Sequence, residues 1–204
     1  VLRIERRYDE LRANQARGEW ADVRSSSAGD YRRLPSLTLG VLGLGDIGST
    51  IANAASAGFG MQVVGCRRDK SPRASDGAVG RVFGLDELPA FLASADYIVS
   101  VLPSTPDTRG LLDGDALAAC AGRSPALINV GRGDLISEAT IVAALDAGRL
   151  SHYVGDVFSP EPLDAGSPLW SHPKVTVTPH NSAVTKAEDV VDAFAKNLEL
   201  YVGG

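Results

Sequence analysis

Short runs of apolar residues recur along the chain from residue 37 onwards, and most are followed by a stretch whose apolar residues have helical spacing. Apolar runs without polar alternation are typical of parallel strands that helices cover on both faces. The predicted strands are 37–42, 62–65, 97–102, 126–130, 153–158 and 175–178. The predicted helices between them are 47–57, 85–95, 113–121 and 138–147. This alternation predicts an α/β domain with a doubly wound parallel sheet.

Amphipathic segments flank this region. Residues 1–18 carry one apolar stripe among charged side chains, which predicts a surface helix rather than a signal peptide. The stripe consists of Ile4, Tyr8 and Leu11. Residues 19–36 are predicted to be irregular, and a loop of that length often forms an interface. The chain closes with a predicted amphipathic helix over residues 186–201. Its first residue is Val1 rather than Met, as expected of a piece of a longer protein.

The composition is that of an ordinary globular protein and narrows the classes of function. With 20 Lys and Arg against 25 Asp and Glu, the formal net charge is −5. This balance gives no electrostatic reason to expect a nucleic acid or a membrane as partner, and no apolar run approaches the roughly 18 residues that span a bilayer. The two cysteines, Cys66 and Cys120, fit a reduced, cytoplasmic protein without a disulfide framework. We expect no metal site.

A glycine-rich turn follows the first predicted strand. The sequence GLGDIG over residues 43–48 has the GxGxxG spacing between a strand and a helix, which is the context that gives this motif its mechanism. The first glycine permits the turn, the second lets backbone approach a pyrophosphate, and the third lets the helix pack on the strand. The helix N-terminus adds free N–H donors. The predicted dinucleotide-binding residues are Gly43, Gly45, Asp46, Ile47 and Gly48.

Two arginines follow the second predicted strand, where an NAD-binding unit usually carries an acidic residue for the ribose hydroxyls. Arg67 and Arg68 occupy this position, and no Asp or Glu lies between Gly65 and Arg68. Two cations there favour a 2′-phosphate. The pair therefore predicts NADP as the cofactor, with NADPH preferred over NADH, although two merely exposed surface arginines would give the same sequence.

Polar side chains follow three further predicted strands. Arg132 follows the strand 126–130, Asp156 and Glu161 lie at the end of 153–158 and just beyond it, and His180 follows 175–178. Ligands of open α/β sheets bind outside the carboxyl ends of the strands. We therefore expect these four side chains to meet at one edge of the sheet, although a simple Arg132–Asp134 ion pair remains an alternative.

Together these motifs resemble the D-isomer-specific 2-hydroxyacid dehydrogenase family. The segments that carry the resemblance are 43–48, 101–109, 129–133, 156–163 and 178–180, and the variant over residues 66–68 is most similar to the glyoxylate/hydroxypyruvate reductase branch. The resemblance implies a Rossmann-type cofactor domain and a second, substrate domain that is largely absent from this chain. It also implies the division into a connecting helix (1–18), a loop or dimer arm (19–36), the dinucleotide-binding domain (37–183) and a returning C-terminal helix (184–204).

The resemblance also implies roles for the polar residues. Arg132 would bind the carboxylate of a 2-keto acid and polarise its carbonyl, since a planar guanidinium suits that geometry. His180 would be the general acid in reduction, and Glu161 would hydrogen-bond it and determine its tautomer. Asp156 would contact the nicotinamide end. The residues expected to line the dinucleotide groove are Leu102, Pro103, Thr108 and Val130.

The expected function is NADPH-dependent reduction of a small 2-keto acid, of the glyoxylate or hydroxypyruvate type, to the 2-hydroxy acid. A dinucleotide-sensing binding module of the corepressor type, without metabolic turnover, is the alternative. Short-chain dehydrogenases are excluded because no tyrosine is followed four residues later by lysine. We expect a homodimer formed through residues 1–36, and no nucleic-acid or membrane partner.

Overall fold

The computed structural model describes residues 1–20, 31–183 and 185–203. Within these residues, seven parallel strands form one sheet in the order β3-β2-β1-β4-β5-β6-β7. The strands are β1 (Thr38–Leu42), β2 (Gln62–Cys66), β3 (Arg81–Phe83), β4 (Tyr97–Ser100), β5 (Ala126–Asn129), β6 (His152–Gly155) and β7 (Val175–Val177). The α-helices are α1 (Leu2–Glu5), α2 (Tyr8–Arg17), α3 (Asp46–Asn53), α4 (Leu88–Ser94), α5 (Glu138–Asp146) and α6 (Ala187–Gly203). The predicted Rossmann-type doubly wound sheet is confirmed.

The chain order reverses beside β1. The chain runs outward through β2 and β3 on one side, and it then returns to pair β4 with the other side of β1. The loops that leave the carboxyl ends of β1 and β4 therefore diverge and open a crevice between them. In open α/β sheets this switch point is where ligands bind.

Two apolar layers sandwich the sheet. One contains Phe91 and Leu92 of α4 and Leu145 of α5, and the other contains Ala52 of α3. The strands carry apolar side chains into both layers, which explains their continuous apolar runs. Helix α4 lies so close to β1 that a Cβ atom on Gly40 would be 2.9 Å from the Phe91 ring.

The strand predictions differ from the structure mainly at the ends. The strand β3, with only three residues and an arginine at its start, was not predicted. The predicted strands 97–102 and 153–158 end early, at Ser100 and Gly155, because the following residues turn outward to form loops at the crevice.

Two helix predictions need correction. The predicted helix 113–121 is only a 3₁₀ turn, Ala116–Cys120, since Gly114 adopts φ +62° and breaks any longer helix. The predicted single helix 1–18 is broken between α1 and α2, where Arg7 adopts φ 50°. On the N-terminal side of the break, the buried carboxylate of Glu5 accepts a 2.6 Å hydrogen bond from the hydroxyl of Tyr97 in β4. This contact joins α1 to the amino edge of the sheet.

The remaining regular segments are short. Helix α3 continues into a π-helical turn, Ala54–Gly58, so the predicted helix 47–57 is present but not uniform. The other 3₁₀ turns are Leu34–Ser36, Ala74–Asp76, Leu85–Glu87, Gly133–Leu135 and Pro168–Trp170.

No residue of α6 is buried. In the described part of the chain, no helix has the length and apolarity to cross a membrane, and no group of metal-ligating side chains comes together.

Candidate active site

The glycine turn between β1 and α3 has the shape of a phosphate cradle. Gly43 adopts φ +107°, and a Cβ atom on Gly48 would lie 1.9 Å from the carbonyl oxygen of Gly43, so helix and turn meet without room for a side chain. A Cβ atom on Gly45 would point into open space, in the position where a ligand would approach the backbone. Asp46 and Ile47 form the exposed first residues of α3. The turn therefore offers helix N–H groups beside an open surface.

A groove of about 410 Å³ runs from this turn past the end of β2. Its lining comprises Gly43, Leu44, Gly45, Arg67, Arg68, Asp69, Arg73, Leu85, Leu102, Pro103, Thr105, Asp107 and Thr108. Of the predicted groove residues, Leu102, Pro103 and Thr108 line it, whereas Val130 packs with the apolar layer around α3. The Thr108 hydroxyl donates to the carbonyl of Pro103 at 2.6 Å and accepts from the amide of Thr105. Thr108 therefore shapes the groove wall through contacts within its own loop.

The two predicted phosphate-binding arginines differ in their exposure and in how closely they are paired with carboxylates. The side chain of Arg67 is only 6% exposed, and its guanidinium pairs with Asp76 at 2.6 Å. Its other donors reach the carbonyls of Asp69 and Ser71. Arg68, by contrast, is 85% exposed and lies 3.8 Å from the nearest carboxylate, that of Asp107. Both residues border the groove, but only the Arg68 guanidinium is without a close partner among the described residues.

Arg132 lies exposed in the tight turn after β5. The buried Asn129 organises this turn by donating to the Arg132 carbonyl and accepting from the amide of Gly131. A Cβ atom on Gly131 would lie 2.6 Å from the carbonyl oxygen of Leu102, and one on Gly133 would lie 2.0 Å from the Phe158 backbone. The turn is therefore wedged between the loops that follow β4 and β6, and Arg132 stands at their junction.

Asp134 does not hold Arg132 in the structure. Its carboxylate is 3.3 Å from the guanidinium of Arg109 and accepts a hydrogen bond from the Ser104 hydroxyl. The guanidinium of Arg132 contacts only the adjacent carbonyl of Gly131, among its hydrogen bonds and ion pairs to described residues. The alternative of a simple Arg132–Asp134 pair therefore does not describe this site.

His180 and Glu161 form the pair that the sequence predicts. The Nδ1 atom of His180 lies 2.8 Å from a carboxylate oxygen of Glu161, and the other carboxylate oxygen accepts from the amide of Phe158. The hydrogen bond from His180, followed by that from Phe158, lowers the pKa of Glu161 against the effect of burial. With Nδ1 bound to a carboxylate, Nε2 is the ring nitrogen that can exchange a proton with a ligand. The imidazole is 53% exposed.

Asp156 is buried beneath the loop that carries His180. Its carboxylate accepts hydrogen bonds from the Thr178 hydroxyl and from the amides of Asn181 and Ser182. Burial alone would raise the pKa of Asp156, but the hydrogen bonds from Ser182 and Thr178 outweigh it and lower the pKa to about 2. These contacts hold the segment after β7, and a contact of Asp156 with a nicotinamide stays a prediction.

An apolar cavity of about 420 Å³ adjoins the His180–Glu161 pair. Its remaining lining residues are Asp156, Phe158, Pro162, Leu163, Trp170, Val177, Thr178 and Pro179. Four further residues near the site were not predicted to belong to it, namely Trp170, Leu163, Thr178 and Asn129. A polar residue at the end of an apolar strand run was the available signal for Asn129 and Thr178, whereas Trp170 comes from a distant 3₁₀ turn.

A family model described as D-isomer specific 2-hydroxyacid dehydrogenase, NAD binding domain, matches residues 1–182. The chain belongs to this family. The predicted family relationship is therefore confirmed. The curated relatives include glyoxylate/hydroxypyruvate reductase A of Enterobacter sp. (strain 638), which is 36% identical over 200 residues, or 98% of this chain and 60% of that protein. The chain spans about 60% of the length of the curated relatives it matches.

Solved structures of family members are similar over the whole chain. A D-isomer specific 2-hydroxyacid dehydrogenase from Xanthobacter autotrophicus Py2, in complex with NADPH and MES, has a TM-score of 0.83 at 36% identity, covering 100% of this chain and 80% of that one. An NADPH-dependent glyoxylate/hydroxypyruvate reductase from Sinorhizobium meliloti, in complex with NADP and sulfate, has a TM-score of 0.82 at 31% identity. The second match covers 99% of this chain and 62% of that one.

Because the pKa of Asp156 is lowered in the fold, the role of this carboxylate in holding the His180 loop can be tested by varying the pH. Because its folded-state value of about 2 lies below the value of roughly 3.9 for an unfolded aspartate, the ionised group stabilises the fold above about pH 4 and loses this effect as the pH falls towards 2. Asp156→Asn should lower the free energy of unfolding at pH 7 by about 2 kcal/mol. Urea unfolding at pH 7, 5 and 3 should show the difference from wild type shrinking only at the lowest pH.

Asp192→Asn, on the exposed helix α6, is the matched control and should have little effect at any of these pH values. An equal loss for Asp156→Asn at pH 7 and pH 3 would show that the carboxylate charge does not stabilise the His180 loop.

Proposed function

We propose that this chain is the cofactor-binding part of an NADPH-dependent reductase that converts a small 2-keto acid, of the glyoxylate or hydroxypyruvate type, to the 2-hydroxy acid. The 2.8 Å contact between His180 and Glu161 carries the proposal, because it orients an imidazole at the sheet edge where Arg132 also lies. The names of the relatives from Enterobacter and Sinorhizobium support the choice of substrate class and of NADPH.

The residues at the crevice fit a dinucleotide. Gly45 leaves open the space that a Cβ atom would fill, α3 presents its N-terminus there, and Arg68 stands at the far end of the groove. The bound nicotinamide would supply the hydride that reduces the keto carbon. The groove walls at Leu102 and Pro103 would orient the cofactor between the glycine turn and the site around His180.

The chemistry of this chain's own residues follows from their geometry. Arg132 would bind the substrate carboxylate and polarise the keto oxygen with its planar fork of donors. His180 would donate the proton at Nε2 to that oxygen, so that a 2-keto acid, a hydride and a proton give the 2-hydroxy acid. Glu161 would hold Nδ1 and stabilise the imidazolium before the proton leaves. Asp156 would keep the His180 loop in position.

We expect His180→Ala and Arg132→Ala each to lower keto-acid reduction by at least about 10²-fold, the usual effect of removing a positioned acid–base or charge-stabilising group. NADPH oxidation with glyoxylate and hydroxypyruvate measures the effect of each substitution, in the protein as the cell makes it. Binding of NADPH should change little in His180→Ala.

His172→Ala and Arg149→Ala are the matched controls for this experiment. His172 also lies beside a carboxylate, Asp146, at 3.4 Å, but it does not line the groove or the cavity. Retained reduction in His180→Ala would remove the imidazole from the proposed role. Tight NADPH binding with no keto-acid reduction in the wild type would instead favour the dinucleotide-sensing binding module.

The cofactor preference is a separate part of the proposal. We expect NADPH to bind at least about tenfold more tightly than NADH at low salt, because a charge-assisted hydrogen bond from Arg68 to the 2′-phosphate contributes roughly 1.5–3 kcal/mol. Arg68→Ala should reduce this preference, and raising the salt concentration should weaken it in the wild type. Fluorescence titration with both cofactors measures the ratio. Equal affinities in the wild type at low salt would contradict the assignment.

We also propose that the chain forms a homodimer through residues 1–36. Residues 21–30 of this arm lie outside the described residues, but Trp20 beside them is 96% exposed and borders an apolar groove with Leu11 of α2. A second copy that covers these side chains would bury a tryptophan, a common anchor of interfaces. Sedimentation at micromolar concentration should show a dimer that Trp20→Ser weakens. A monomer at that concentration would count against this interface.

A further inference from the structure

The loop between β2 and β3 is built around the side chain of Arg67. The guanidinium makes a bidentate pair with Asp76, with contacts of 2.6 and 2.8 Å, and its Nε donates to the carbonyl of Asp69. The same carboxylate of Asp76 accepts the amide of Arg73 at 2.9 Å. Arg67 and Asp76 therefore close residues 67–76 into one ring of charge-assisted contacts, which are the stronger kind of hydrogen bond.

This ring determines which charges face the groove. Arg67 also borders the groove, but its guanidinium is engaged with Asp76. The other charged residues of the lining are Arg68, Arg73, Asp69 and Asp107. The two outward arginines have only loose partners, at 3.8 Å for Arg68–Asp107 and 3.7 Å for Arg73–Asp69. Both distances exceed the hydrogen-bonding range, and such exposed pairs contribute little. A dianionic ligand can therefore readily replace the carboxylates of Asp107 and Asp69 as the partner of the two guanidiniums.

We propose that Arg73, together with Arg68, binds the 2′-phosphate of the cofactor, and that the Arg67–Asp76 pair is the clamp that positions Arg73. This inference rests on the proposed function and refines it, because the sequence points to Arg67 as the second cation. Arg67 would have to break its contacts with Asp76, Asp69 and Ser71 to reach a ligand. Arg73 reaches the groove with no such loss, from a position six residues further along the chain.

The experiment measures the affinities for NADPH and NADH by fluorescence titration at low and high salt. Arg73→Ala should weaken NADPH binding about tenfold, as expected for one charge-assisted hydrogen bond, while NADH binding changes less than twofold. The NADPH effect should shrink at high salt. Arg149→Ala is the matched control, since Arg149 has an equally loose partner in Asp115 at 3.7 Å but lies outside the groove.

Asp76→Asn tests the clamp, with thermal unfolding recorded alongside. A positioning role predicts a severalfold fall in the ratio of NADPH to NADH affinity. A fall in melting temperature with an unchanged ratio would overturn the positioning role of Asp76.

The exposed side chain of Arg73 can be removed without loss of the fold, so an unchanged ratio in Arg73→Ala would overturn the assignment of Arg73. Wild type that binds neither dinucleotide would refute the proposed function itself, and the inference with it. If the wild type prefers NADPH and Arg73→Ala has the same ratio of NADPH to NADH affinity, the inference alone is refuted.

Discussion

Close backbone contact between the loops at the carboxyl edge of the sheet is the constraint on which this site depends. Gly48 meets Gly43, Gly131 meets Leu102, and Gly133 meets Phe158, in each case at distances that no Cβ atom would tolerate. Parallel strands bring their loops to one edge by topology alone. The glycines then let those loops stack against each other, so that the phosphate cradle, Arg132 and the loop after β6 become one surface.

Carboxylates act mainly as internal anchors in this surface. Asp156 holds the segment after β7, Asp76 holds Arg67, and Asp134 holds Arg109. Each anchor satisfies backbone amides or a guanidinium and leaves the exposed cations, Arg68 and Arg132, without a strong acidic partner among the described residues. The acidic net charge of the chain therefore says little about the site, because these three carboxylates are already paired within it.

The architecture and most of the site could be predicted from the sequence. Continuous apolar strands and the glycine spacing at residues 43–48 each depend on local patterns, and the structure has the Rossmann sheet that they predict. The direction of a side chain depends on partners distant in sequence, and here prediction was weaker. Arg67 turns inward because Asp76 is nine residues away in a loop with no periodic signal, and Asp156 turns towards a segment 25 residues further on.

The short strand β3 and the break between α1 and α2 were not predicted, for a related reason. The strand β3 has three residues and exists because β2 offers its free edge, with Val64 opposite Arg81, rather than because of its own composition. The break between α1 and α2 likewise accompanies a contact with a residue 92 positions away, that of Glu5 with Tyr97. Both features are consequences of tertiary contacts that local propensity does not contain.

The position of His180 shows how the anchors and the chemistry are connected. His180 adopts φ 51°, in the left-handed region, which costs a non-glycine residue about 1–3 kcal/mol. The next two amides, of Asn181 and Ser182, both donate to the ionised Asp156, and hydrogen bonds to a charged group contribute roughly 1.5–3 kcal/mol each. The anchor therefore outweighs the strain and keeps the imidazole against Glu161 rather than in a relaxed conformation. Since the pKa of Asp156 is about 2, the anchor stays ionised at every pH well above that value, so the support of the His180 loop does not change with pH in the neutral range.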